Sequence, residues 1–120
     1  MRKAVFFCVL AVALPLNAGE RLVMGLSPKV AFEPAVLTIR AVIETDTENR
    51  ALEIVAQSSD YYRRSSIQLD GASAPRLNVV EFRNLPSGTY DVMSVLVGSG
   101  GERAMVSQRF QVAVVPGSGR

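Results

Sequence analysis

Apolar and polar positions alternate with a period of two over most of the chain beyond residue 20, and no segment there repeats at helical spacing. The clearest run is 35–44, where Leu37, Ile39, Ala41 and Ile43 share one face and Thr38, Arg40 and Glu44 the other. Thr45 to Asn49 are residues that bond their own backbone, and they predict a turn. Ala51 to Gln57 returns with Leu52, Ile54 and Ala56 on one face, leaving Arg50, Glu53 and Gln57 for solvent. Ahead of this pair, Gly19 to Leu26 reads as a lead-in or first edge strand, and Lys29 to Phe32 as a short strand. Ser27-Pro28 and Glu33-Pro34 end them, as suits a sheet edge where a missing N–H does no harm.

After the pair comes a polar passage, Ser58 to Ser66. Alternation resumes at Ile67-Gln68-Leu69 and stops at the tight-turn dipeptide Asp70-Gly71. Arg76 to Arg83 is a further strand with Val80 and Phe82 facing in. Two long strands close the chain, Tyr90 to Val97 and Arg103 to Val115, the second with Phe110, Val112 and Val114 on one face. Gly98 to Glu102 joins them as a hairpin whose glycines tolerate positive φ. About seven strands with turn signals every 8–12 residues predict one all-β domain, an antiparallel Greek-key β-sandwich.

The first residues change the address. Met1-Arg2-Lys3, an apolar run from Ala4 to Leu14, then Pro15-Leu16-Asn17-Ala18 have the three-part layout of a cleaved signal peptide over residues 1–18. The run is well short of the roughly 20 residues that span a bilayer, and no second apolar segment is long enough. The domain at 19–115 is therefore expected in the periplasm or outside the cell, with 116–120 as a frayed tail. Arg2 and Lys3 account for the whole formal excess of +2, so the mature domain is near neutral and nucleic acid is not an expected partner. The one cysteine, Cys8, leaves with the leader, so the core alone must hold the domain.

Between the last three strands lies a corner, Leu85-Pro86-Ser87-Gly88-Thr89-Tyr90-Asp91-Val92. There the chain resembles fibronectin type III and bacterial immunoglobulin-like domains. The resemblance implies that Leu85 packs in the core, that Pro86 and Gly88 turn the chain, and that the Tyr90 hydroxyl bonds backbone a few residues upstream. It covers roughly the C-terminal third. The chain departs from that pattern in having no tryptophan. The same corner is also similar to those of transthyretin-like and collagen-binding-type B repeats, without their glycine-rich opening turn.

Candidate chemistry is thin. No histidine occurs, which removes the commonest general base near neutral pH and the commonest transition-metal ligand. Lys29, the one lysine after the leader, sits beside Pro28 on an expected edge strand, ill suited to a serine nucleophile or to an isopeptide with Asn49, Asn78 or Asn84. Asp46-Thr47-Glu48-Asn49 offers oxygens for calcium but lacks the glycine turn and later bidentate carboxylate of such loops. Gly98-Ser99-Gly100-Gly101 lacks the Lys-Ser/Thr and helix of a phosphate cradle. Both read as hairpin turns. Tyr61-Tyr62-Arg63-Arg64 is the surface feature that could bind a partner, since aromatic residues and arginine are enriched in binding hot spots. Alternation divides it, Tyr61 and Arg63 on one face and Tyr62 and Arg64 on the other, and its plainer reading is an edge strand protected by charge with one tyrosine packed on the core. The expectation is a non-enzymatic exported module, without cofactor or metal, that contacts another envelope or secreted protein. A carbohydrate-binding module of the same fold is the alternative.

Overall fold

The computed structural model describes residues 21–115; the leader-like segment, Cys8 and the tail at 116–120 lie outside them. Eight strands follow in order: β1 Leu22–Ser27, β2 Val30–Phe32, β3 Ala35–Ile43, β4 Asn49–Gln57, β5 Tyr62–Gln68, β6 Leu77–Leu85, β7 Gly88–Gly98 and β8 Gly101–Ala113. A single 3-10 turn, Gly71–Ser73, fills the loop before β6. The strands make two sheets, a small one ordered β1-β3-β6 and a large one ordered β2-β8-β7-β4-β5. The described residues are all-β, in two sheets.

The alternation explains the layering. In β3 the residues Leu37, Ile39, Ala41 and Ile43 are buried, and across from them in β4 so are Leu52, Ile54 and Ala56. Tyr90, Val92 and Leu96 of β7 and Phe110 and Val112 of β8 complete the same core, with Leu22, Met24 and Leu26 of β1 closing its side. Each such aliphatic or aromatic side chain contributes roughly 1.5–3 kcal/mol when fully withdrawn from water. Phe82 of β6 is buried as expected, whereas Val80 is only partly so. Val114 lies past the end of β8 and is exposed, so the inward stripe stops at Val112.

Two features depart from an antiparallel seven-strand sandwich. The charged edge segment at 61–66 and the alternation resumed at 67–69 join in one strand, Tyr62–Gln68, pairing with β4 from Gln57↔Tyr62 to Ala51↔Gln68, and the described residues hold eight strands. The short β2 pairs with the end of β8 in parallel, Val30↔Gln111 to Phe32↔Ala113. That contact joins segments about 80 residues apart, and no local pattern marks it.

Candidate functional site

The corner between β6 and β7 is a closed structural unit. Leu85 and Tyr90 are buried, and the Tyr90 hydroxyl donates to the Pro86 carbonyl at 2.7 Å. Asn84 takes φ 60, a left-handed turn that asparagine tolerates, and Gly88 takes φ 152. The Ser87 N–H donates to Glu33 Oε1 at 2.9 Å, tying the β2–β3 turn to the corner. Beneath it the Tyr90 ring meets Tyr61 edge-on at 6.3 Å and Phe110 at 6.1 Å between centroids.

The Tyr61-to-Arg64 group divides between faces. Tyr62 is 55% exposed on the outer face of the large sheet, and Arg64 beside it pairs with Glu53. Tyr61 and Arg63 turn to the gap between the two sheets. There the Arg63 guanidinium lies 5.4 Å from the centre of the Phe82 ring and donates to Tyr61 Oη at 3.3 Å and the Arg83 carbonyl at 3.2 Å. The structure therefore does not bring the four residues together as one contact surface. Ile67 held the signal: it shares parity with Tyr61 and Arg63, and an isoleucine on an otherwise polar strand marks the inward face.

Two turns set aside in the sequence meet at the opposite end of β7. The β3–β4 turn, residues 44–48, packs against the Ser99-Gly100 hairpin, and the Ser99 N–H donates to the Glu48 carbonyl at 3.2 Å. Ser99 Oγ also bonds the Glu48 carboxylate. Arg103 of β8 reaches between them. Its Nη1 donates to Asn49 Oδ1 at 2.7 Å and its Nη2 to Asp46 Oδ2 at 2.9 Å, with Glu44 Oε1 at 3.5 Å. Only 13% of its side chain is exposed. Asn49 is wholly buried and donates to the Glu44 carbonyl at 2.8 Å. The Glu48 N–H, 2.8 Å from Asp46 Oδ1, and then Arg103 hold the Asp46 carboxyl below its ordinary range. Gly98 makes room for the arginine stem: a Cβ there would lie 2.6 Å from Arg103 Cδ and 2.9 Å from the Glu48 carbonyl oxygen.

Beside this latch is a cavity of about 230 Å³ lined by Arg21, Glu48, Ser99, Glu102 and Arg103 together with the hairpin glycines. Arg21 Nε lies 3.8 Å from Glu44 Oε1, so the two lining guanidinium groups converge on one carboxylate oxygen. The cavity holds as many lining acids as bases, and one of those acids, Glu48, is occupied by Ser99. What the lining offers a ligand is two guanidinium groups, that of Arg103 fixed by its bonds to Asp46 and Asn49. Nothing local in the sequence announces it, because Arg103 meets Asp46 and Asn49 from 57 and 54 residues away.

No residue here is arranged for a redox metal. The chain has no histidine, and among the described residues no three of His, Cys, Asp and Glu group to hold an ion. Lys29 is exposed, while the Asn49 and Asn78 amides bond backbone, so no Lys–Asn crosslinking pair forms among them.

No family model matches the chain, and no curated protein does. Solved structures do. The superoxide reductase (neelaredoxin) of Ignicoccus hospitalis superposes with a TM-score of 0.58 at 9% identity, covering 78% of this chain and 80% of that one. Two substitution variants of the same enzyme give 0.59 at 10% identity, covering 79% and 82%, and 0.54 at 10% identity, covering 85% and 87%. The likeness is one of fold. It corrects the kinship implied by the corner: these neighbours are superoxide reductases, not fibronectin type III or immunoglobulin-like domains. A buried tyrosine bonded upstream is a physical answer to a sandwich corner, and it recurs without common descent. The non-enzymatic contact module and its carbohydrate-binding alternative, drawn from that kinship and from missing catalytic residues, are corrected with it, since enzymes acting on superoxide use this sandwich.

Proposed function

We propose that the chain binds a small oxyanion in the cavity at the hairpin end of β7. The observation that carries this reading is the Arg103 guanidinium, held on the cavity wall at 13% exposure by Asp46, Asn49 and Glu44, with Arg21 beside it. An arginine already fixed in place loses little freedom when a ligand arrives. Superoxide, named as the substrate of the structural neighbours, has the size and charge for such a site and is the first ligand to test. Reducing it takes an electron donor, and the described residues do not fit a redox metal, so no reduction step is assigned to them. The leader-like residues 1–18 support an extracytoplasmic address for the domain, and N-terminal sequencing of exported protein checks it.

With lining charges balanced, affinity rests on donor geometry, and a dissociation constant on the order of 1 mM is expected for a small oxyanion. Titrating nitrate or formate, as stable stand-ins of similar size, into isotope-labelled protein should shift the amides of Ser99 to Arg103. Arg21→Gln should weaken that binding several-fold. Shifts spread evenly over the surface, or unchanged by Arg21→Gln, would remove the reading. A parallel measurement of superoxide decay separates binding from turnover.

A further inference from the structure

On the side of the sandwich where β5 and β6 face each other, Arg63 bridges the two strands. These strands are edges of different sheets, and Arg63 crosses from β5 to bond the Arg83 carbonyl of β6 and to cover Phe82. The other edges are short, partly occupied, or charged with one sign only. Strand β2 has three residues; the Met24 carbonyl of β1 accepts Gln108 Nε2 at 2.5 Å; β5 carries two arginines and no acid. Strand β6 is nine residues long and pairs on one side with β3. Its outer residues are Leu77 and Val79, each 52% exposed, then Glu81 and Arg83, which pair at 2.8 Å.

That strand is complementary to itself. Antiparallel pairing of two copies about a two-fold axis at Phe82 sets Glu81 of each opposite Arg83 of the other, and opposite charges facing across strands are favourable. The same pairing needs the backbone edge that Arg63 occupies at Arg83. Natural sheets guard such edges against unwanted addition, commonly with inward-turned charge.

We infer that β6 is a self-pairing edge, that Arg63 keeps it closed, and that a second copy of this chain is the partner that takes it when the arginine is removed. Sedimentation velocity over a concentration series tests this, with circular dichroism to verify the fold. Wild type should be monomeric, and Arg63→Gln should form a dimer with a dissociation constant at least about tenfold lower than any wild-type self-association. Adding Glu81→Arg places like charges opposite each other and should return the monomer. Adding Arg83→Glu to that double variant restores complementarity and should restore the dimer. Arg63→Lys keeps the stem over Phe82 but loses the fork, so it should dimerise more weakly than Arg63→Gln; it serves in its place if the glutamine variant does not fold. A wild type that is already dimeric, folded Arg63 variants that stay monomeric, or a dimer indifferent to Glu81→Arg would each overturn the inference.

Discussion

At the scale of single residues, Tyr90 carries a bond whose loss can be measured. Its hydroxyl reaches the Pro86 carbonyl at 2.7 Å from a fully buried ring, so Tyr90→Phe keeps the packing and deletes one hydrogen bond. The cost should be about 0.5–1.5 kcal/mol in chemical denaturation. Burial also raises the pKa of this hydroxyl above its ordinary 10.0. Above that value the unfolded tyrosine ionises while the folded one stays neutral, so its stabilisation is full below about pH 10 and is lost as pH rises further. Tyr90→Phe should therefore have a shallower alkaline decline than wild type; parallel curves would contradict the seating. The residue was legible because proline, glycine and tyrosine at fixed offsets have few physical uses. Arg103 was not, because an arginine on a strand reads as solvent-facing. Its seat is made by Gly98, which leaves space, and by acids on a turn far away in sequence.

Among the elements, the strands that alternate cleanly, β3 and β4, were readable from their own residues. Strand β5 was readable as a charged edge strand with one tyrosine on the core, but its pairing with β4 is tertiary and was not. The parallel β2–β8 contact is likewise tertiary. The β3–β4 turn and the β7–β8 hairpin form one latch through Arg103, and its acid response follows from Asp46. The Asp46 pKa is lowered in the folded protein from its ordinary 3.8, first by the Glu48 N–H and then by Arg103. A lowered pKa gives stabilisation that is full above the unfolded value and is lost as pH falls through the folded one. Hydrogen exchange at Ser99 to Gly101 should accordingly quicken, relative to the rest of β7, once pH drops below about 4. Asp46→Asn should start from the faster state and show little further change. Equal pH dependence in both proteins would mean that the latch is held elsewhere.

The whole molecule is held without a covalent staple. One cysteine in 120 residues cannot form an internal disulfide, so thermal unfolding should be the same with and without reductant. A lower midpoint under reductant would point to Cys8 bridging two retained leaders. This explains why the all-β class could be read so readily: a core with no disulfide rests on the alternation of its apolar residues. The candidate site was harder because it belongs to one end of the sandwich, where residues distant in sequence meet.

The two ends of β7 are fastened by different physics. At the start of the strand a neutral hydroxyl closes the corner from within the core; at its finish an arginine closes the hairpin against carboxylates that reach solvent. Dissolved salt screens the second and leaves the first untouched. The sandwich therefore has a mouth more responsive to salt than its corner, and in a medium of changing ionic strength the hairpin end, beside the cavity, is the one that loosens first.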